Sequence, residues 1–101
     1  MSGIARPQTP SGSRQLAYEL LRMVFQDGAY ANLALPKLLA TSRLPDRDRA
    51  FTQELAFGSI RNRGLYEAIV EHAAKRSISE LDEEVIWVLL IGCHQLLELR
   101  V

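Results

Sequence analysis

Residues 48–64 read DRAFTQELAFGSIRNRG, an amphipathic helix with a glycine on its apolar side. On a helical wheel of 100° per residue, Leu55 and Gly58 fall within about 40° of Phe51. A glycine inside a helix costs about 1 kcal/mol relative to alanine. We therefore expect another backbone to approach this buried helix closely at Gly58.

The region from Glu83 to Leu99 offers a matching glycine. Its apolar residues cover most of the circumference of a helix, which indicates a central position in the fold. On the wheel Gly92 shares one line with five large apolar residues, namely Val85, Val88, Leu89, Leu96 and Leu99. We predict that the two helices cross near Gly58 and Gly92; the alternative is that each glycine faces a different neighbour.

Helical periodicity recurs along the rest of the chain, and no alternating strand pattern accompanies it. The fold class predicted is therefore an all-α bundle of about five helices. The expected helices are residues 14–26, residues 30–40, the helix within residues 48–64, a helix after Gly64, and residues 83–99.

Local signals place the ends of these helices. The expected N-caps are Ser13 for the first helix, Asp46 or Asp48 for the third, and Asp82 for the fifth. Gly28 ends the first helix, because glycine adopts a left-handed backbone readily. Pro36 lies near the start of the second helix or kinks it.

Length and composition indicate one small domain of 101 residues, with a flexible segment at residues 1–13 and a helical domain at residues 14–101. The single cysteine, Cys93, excludes a disulfide framework and a zinc pattern. Residues 1–13 lack the apolar core of a signal peptide. The longest apolar run, residues 85–93, is about half of the ~20 residues that span a bilayer. We expect a cytoplasmic protein with no membrane partner.

Charge is balanced overall, with twelve basic and twelve acidic residues, but it is distributed unevenly. Residues 1–76 carry eleven Lys or Arg and seven Asp or Glu, or +4, whereas residues 77–101 carry one and five, or −4. Either the basic part meets an anion, or the charges are simply scattered.

The two arginines that close the opening stretch have different expected roles. Arg61 lies about 20° from Glu54 on the wheel, so an ion pair across Gly58 is expected. Arg63 falls on the exposed side, where no internal partner is evident. Its guanidinium is free to interact with the helix C-terminus or to contact phosphate.

Three blocks resemble a known family when they are taken together. They are RQLAYELLRMVFQDGAYANLALPKLL at residues 14–39, DRDRAFTQELAFGSIRNRG at residues 46–64, and IGCHQLLELR at residues 91–100. In this order they resemble the NusB-like amino-terminal domain of the RsmB (Sun, Fmu) ribosomal RNA cytosine methyltransferases. The resemblance covers nearly all of the chain after Ser13.

The resemblance implies an all-α fold of two small packed bundles that binds RNA, ribosomal RNA in particular. A downstream methyltransferase domain would bind S-adenosylmethionine and carry the catalysis. This chain has no glycine-rich strand-to-helix turn for that cofactor, so it is expected to be non-catalytic and free of cofactor and metal. Cys93 is expected in the core, and neither His94 nor His72 has a partner at catalytic or ligand spacing.

The RNA contacts that the resemblance implies begin with the start of the first helix. The expected RNA-binding residues are Arg14, Asn62 and Arg63, followed by Arg61 and Arg6. Tyr18 and Tyr30 are the candidates for stacking on bases. Two other functions remain open: a NusB-type transcription antitermination factor, which needs a ribosomal protein as well as RNA, and a helical protein-interaction module.

The family domain continues with further helices past the point that corresponds to Val101. We therefore expect either a truncated domain or self-association through the apolar surface that those helices would cover. Trp87 and Ile91 are expected on that surface.

Overall fold

The computed structural model describes residues 9–99, and the side chains of residues 12–99. This part of the chain forms five α-helices and contains no strand, which confirms the all-α prediction. The helices are α1 (Thr9–Asp27), α2 (Ala31–Thr41), α3 (Asp46–Arg61), α4 (Arg63–Ala74) and α5 (Glu83–His94). A 3-10 turn, Ile78–Glu80, precedes α5, and a π-helical turn, Gln95–Leu99, continues it.

Helix α1 lies at the centre of the bundle and contacts α2, α3 and α5. Its side chains Ala17, Leu20 and Leu21 are fully buried, at the spacing of one helical face. Burying each leucine contributes about 1.5–3 kcal/mol, so this face accounts for much of the cohesion of the fold.

The start of α1 differs from the prediction. The helix begins at Thr9 and includes residues 9–13, which the sequence assigned to the flexible segment. Ser13 is therefore not an N-cap; it is fully buried, and its hydroxyl donates to the backbone carbonyl of Asp48 over 3.1 Å. This contact joins the start of α1 to the start of α3.

The ends of the other helices are partly as expected. Gly28 adopts a left-handed backbone with φ of 75°, as predicted. Neither Asp46 nor Asp48 caps α3, because the extended backbone of Pro45 (φ −62°, ψ 161°) occupies the cap position. Both aspartates instead lie in the first turn, where the helix dipole favours negative charge.

The cap of α5 and the proline in α2 agree only partly with the sequence signals. Asp82 stands at the N-cap of α5, but its side chain makes no capping hydrogen bond. Pro36 lies inside α2, beyond the first turn.

Helix α5 is central, as its apolar composition predicts, but it buries the face opposite to the expected one. The buried residues are Ile86, Trp87, Leu90, Ile91 and His94. The expected line contains the exposed residues, since Val88 is 57% and Leu96 75% exposed. The prediction that Trp87 and Ile91 are exposed is therefore wrong. The rings of Tyr18 and Trp87 pack in a T-shaped arrangement, with centroids 5.7 Å apart, and this contact helps select the buried face.

The glycine in α3 does mark a close approach, but its partner is a side chain. A methyl group added at Gly58 would overlap the imidazole ring of His94. At Gly92 an added methyl group would have no atom within 4 Å from a neighbouring element. The predicted pairing of the two glycines is therefore wrong, because the space left at Gly58 is filled by the ring of His94.

These two glycines form a matched pair for mutation. We expect Gly58→Ala to lower the free energy of unfolding by about 1–3 kcal/mol. The added methyl group would overlap the imidazole ring of His94, which cannot move easily because both of its nitrogens are hydrogen-bonded. Gly92→Ala should raise it by up to about 1 kcal/mol through helix propensity. Urea denaturation followed by circular dichroism measures both, and equal effects would contradict the assigned contact.

Candidate nucleic-acid interface

A polar network centred on the buried side chain of His94 joins α3, α4 and α5, and it contacts two of the predicted residues, Arg61 and Asn62. His94 is fully buried, and its Nε2 lies 2.8 Å from Oε2 of Glu54 while its Nδ1 lies 2.7 Å from the hydroxyl of Tyr66. An ionised carboxylate only accepts hydrogen bonds. Nε2 of a neutral His94 therefore donates to Glu54, and Nδ1 accepts from Tyr66. His94 of α5 is thus buried against α3 and α4.

The network extends to the α3–α4 junction. The side-chain amide of Asn62 donates to the carbonyl of Gly58 over 3.1 Å and lies 3.4 Å from the Tyr66 hydroxyl. Burial raises the pKa of Tyr66, and the negative charge of Glu98 adds to that shift. The amide of Asn62 thus joins the end of α3 to Tyr66 of α4.

Arg61 makes the ion pair that the sequence predicts. Its Nη2 lies 3.7 Å from Oε2 of Glu54, so both side chains lean across Gly58. Because the side chains of Arg61 and Glu54 are 62% and 46% exposed, the pair contributes only about 0–1 kcal/mol. Its guanidinium remains accessible to an external anion.

Arg63 has internal partners, contrary to the expectation from the wheel. Its Nε donates to Oε2 of Glu67 over 2.9 Å, one helical turn further along α4. Its guanidinium carbon also lies 4.3 Å from the centre of the Phe25 ring, in a cation–π contact. An RNA phosphate would have to compete with both interactions.

Arg14 is exposed and has a neutral partner. Its Nε donates to Oε1 of Gln95 over 2.9 Å, which orients the guanidinium without neutralising it. Arg6, the remaining predicted contact, lies outside the described residues.

The predicted residues do not form a single cluster. Arg14 lies near the start of α1, whereas Arg63 packs on Phe25 near its end. The two positions on α1 are eleven residues apart, or about 16 Å at 1.5 Å per residue. The tyrosines also differ: Tyr30 is 73% exposed, but Tyr18 is half-buried against Trp87.

The structure adds two arginines that the sequence analysis did not single out. Arg43 and Arg47 are exposed, and within residues 12–99 neither lies within 4 Å of a carboxylate. Both flank the start of α3, which the contact between Ser13 and Asp48 joins to the start of α1, where Arg14 lies. We call Arg14, Arg43 and Arg47 the basic patch.

The sequence does contain a signal for this patch. Residues 42–49, SRLPDRDR, hold three arginines and two aspartates, so their net charge is small. Asp48 is only 6% exposed, however, and its carboxylate is directed into the protein. The exposed charge of this segment is therefore more positive than the net charge of its sequence.

Other reactive side chains do not gather into a site within the described part of the chain. Cys93 is half-buried and packs against the core, and burial raises the pKa of its thiol. His72 is exposed on α4. Among residues 9–99 there is no group of three His, Cys, Asp or Glu that could hold a metal ion. None of the helices described there is long and apolar enough to cross a membrane.

Comparison with known proteins gives consistent matches. A model of the NusB family matches residues 11–101. The "Putative methyltransferase Rv1407" of Mycobacterium tuberculosis (strain ATCC 25618 / H37Rv) is 45% identical over 96 residues, which is 95% of this chain and 21% of the relative. Ribosomal RNA small subunit methyltransferase B of Salmonella enteritidis PT4 (strain P125109) is 30% identical over 88 residues, which is 87% of this chain and 20% of the relative. The chain thus spans about a fifth of the length of these relatives, and no solved structure matches it.

The buried network generates a prediction for Tyr66. Tyr66→Phe leaves Nδ1 of His94 without its donor, so we expect the free energy of unfolding to fall by about 1–3 kcal/mol at neutral pH. The raised pKa of Tyr66 stabilises the native state fully below the unfolded pKa of about 10, and this contribution is lost as the pH rises further.

The difference between wild type and Tyr66→Phe should therefore be constant from pH 7 to about pH 9 and shrink at higher pH. Urea denaturation at several pH values measures it. Tyr30→Phe is the control, because Tyr30 is 73% exposed. A difference that grows with alkaline pH would contradict the assignment.

Proposed function

Because the chain belongs to the NusB family, we propose that it is a non-catalytic RNA-binding domain that helps a ribosomal RNA (cytosine-C5) methyltransferase engage its substrate in the cytoplasm. The relatives named as methyltransferases support this, since they match almost the whole chain over a fifth of their own length. The S-adenosylmethionine and the catalytic residues would belong to another domain of the same protein.

The observation that carries an RNA-binding role for this chain is the basic patch. Arg14, Arg43 and Arg47 keep their charge unneutralised by carboxylates of residues 12–99, although the whole chain has no net charge. Cations of this kind bind phosphates and position RNA without reading its sequence. We propose this patch as the primary contact.

The other predicted residues take secondary places in this proposal. Arg61 and Arg63 would bind phosphate by releasing the carboxylates with which they pair in the structure. Asn62 would act by holding the α3–α4 junction in place. Arg6 would extend the contact from the start of the chain.

A second candidate function is protein interaction, which the exposed face of α5 favours. Val85, Val88 and Leu89 are 44%, 57% and 36% exposed, and they lie side by side on the outer surface of the helix. Adjoining apolar side chains of this kind are typical of protein–protein contacts. Self-association of the chain through this face would take place next to Arg14, which lines one groove with Val88 and Gln95.

The basic patch predicts a specific dependence of RNA binding on salt. For single-stranded RNA, the logarithm of the affinity falls with the logarithm of the salt concentration, with a slope of about −0.7 per phosphate contacted. We expect Arg14→Ala and Arg43→Ala each to weaken binding and to reduce the magnitude of this slope by up to about 0.7. Fluorescence anisotropy with a labelled single-stranded RNA of mixed sequence, over a series of KCl concentrations, measures both.

Arg76→Ala is the matched control, because Arg76 already pairs with Glu80 at the other end of α4. Its affinity and slope should equal those of wild type. If Arg14→Ala and Arg43→Ala both bind RNA with the wild-type affinity, the basic patch is not the RNA contact. Absence of any RNA binding would overturn the proposed function.

The α5 face predicts association that depends on protein concentration. Sedimentation equilibrium of the wild-type chain should show an average mass that rises with concentration, and Val88→Lys should remain monomeric because it places a charge within the contact. Leu33→Lys, at a 60% exposed position of α2, should behave as wild type. A wild-type chain that stays monomeric throughout would remove this second candidate.

A further inference from the structure

A groove between α2 and α3 is separate from the basic patch and from the network around His94. It has a volume of about 330 Å³, at the lower end of the range for small-molecule sites. The residues that line it are Asn32, Leu35, Pro36, Leu39, Arg49, Gln53 and Phe57. We call it the α2–α3 groove.

The polar groups of the groove have hydrogen-bonding capacity to spare. The side-chain amides of Asn32 and Gln53 are exposed, and neither makes a hydrogen bond to another residue within 12–99. Pro36 has no N–H, so the backbone carbonyl of Asn32 lacks the donor that a regular helix would supply four residues later. Two amides that both donate and accept therefore adjoin a carbonyl that only accepts.

A cation is fixed beside these amides. Nη1 of Arg49 donates to the carbonyl of Leu39 over 2.8 Å, which anchors the half-buried guanidinium at the end of α2. No carboxylate of residues 12–99 lies within 4 Å of it. Its other N–H groups point to no protein acceptor within that range, so they remain available to a ligand.

The remaining lining is apolar and partly aromatic. Leu35 and Leu39 are 2% and 8% exposed, and Phe57 is half-buried beside them. A flat apolar ligand with a polar edge fits such a surface, because its faces pack on carbon while its edge meets the amides.

We propose that the α2–α3 groove binds one unstacked nucleobase of single-stranded RNA, and that Arg49 contacts the adjoining phosphate. Single-stranded RNA is recognised by aromatic or guanidinium surfaces that receive splayed bases and by hydrogen bonds to the base edges. Each of the four bases carries at least one N–H donor for the Asn32 carbonyl, so the groove accepts any of them. This inference rests on the proposed function, which it extends from phosphate contacts to a base.

The groove favours a nucleotide over a protein segment because of its charge. Arg49 is unneutralised by the described carboxylates. A base linked to a phosphate matches both the amides and this cation.

Nuclear magnetic resonance of the full chain tests the groove without long RNA. Cytidine monophosphate should shift the side-chain amide signals of Asn32 and Gln53 saturably, and it should leave those of Gln26, an exposed residue on α1, unchanged. Ribose 5-phosphate, which has no base, should bind about fivefold or more weakly, since base stacking and pairing are lost. Equal binding of the two, which would show a phosphate site only, or no shift with either, would overturn the inference.

A second experiment uses RNA and a matched pair of variants. Gln53→Leu should weaken the binding of single-stranded RNA about three- to tenfold with little change in the salt slope, because it removes a contact to a base and no charge. Gln26→Leu should bind as wild type, and equal thermal midpoints would show that both variants fold. An unchanged affinity of Gln53→Leu would overturn the inference.

The outcomes separate this inference from the proposed function. If Arg14→Ala weakens RNA binding but Gln53→Leu does not, the base site in the groove is excluded while the RNA-binding function of the domain stands. Saturable binding of cytidine monophosphate at the groove, with no binding of longer RNA, removes the RNA-binding domain and also the assignment of the groove to a base of RNA. Binding of a peptide segment, with no nucleotide bound, would assign the groove to a protein partner.

Discussion

The fit of the His94 ring into the space above Gly58 is the contact on which the rest of this structure depends. It brings α5 against α3 and, through the hydrogen bond to Tyr66, secures the start of α4. The hydrogen bond to Glu54 satisfies the second ring nitrogen, so a fully buried histidine costs little. The same carboxylate pairs with Arg61, which connects the interior to the surface at the α3–α4 junction.

Charge pairing divides the basic residues into two groups with different consequences. Arg22 and Arg76 are held by carboxylates of their own helix or of the next turn, and Arg61 and Arg63 have one each. Arg14, Arg43 and Arg47 lie where Asp48 has been withdrawn into the protein. One part of a chain with no net charge thus exposes more arginines than carboxylates, because Asp48 is buried.

How much the sequence revealed differs between elements. The central role of α5 was predictable, because apolar residues surround the whole helix. Its orientation was not, since a helix that is apolar on all sides offers several faces of similar hydrophobicity. The ion pair of Arg61 followed from spacing within a single helix, whereas the contact of Arg63 with Phe25 joins residues that are far apart in the sequence. No wheel of one helix contains that information.

The sequence by itself determined the all-α class, the left-handed turn at Gly28, the close approach at Gly58 and the resemblance that the family match later confirmed. These features follow from backbone preference and from periodicity, which act over a few residues. The tertiary structure alone decided that a histidine fills the gap in α3 and that the start of α3, with Arg43 and Arg47, packs against the start of α1. The physical reason is that burial and charge pairing depend on which distant groups meet when the helices pack.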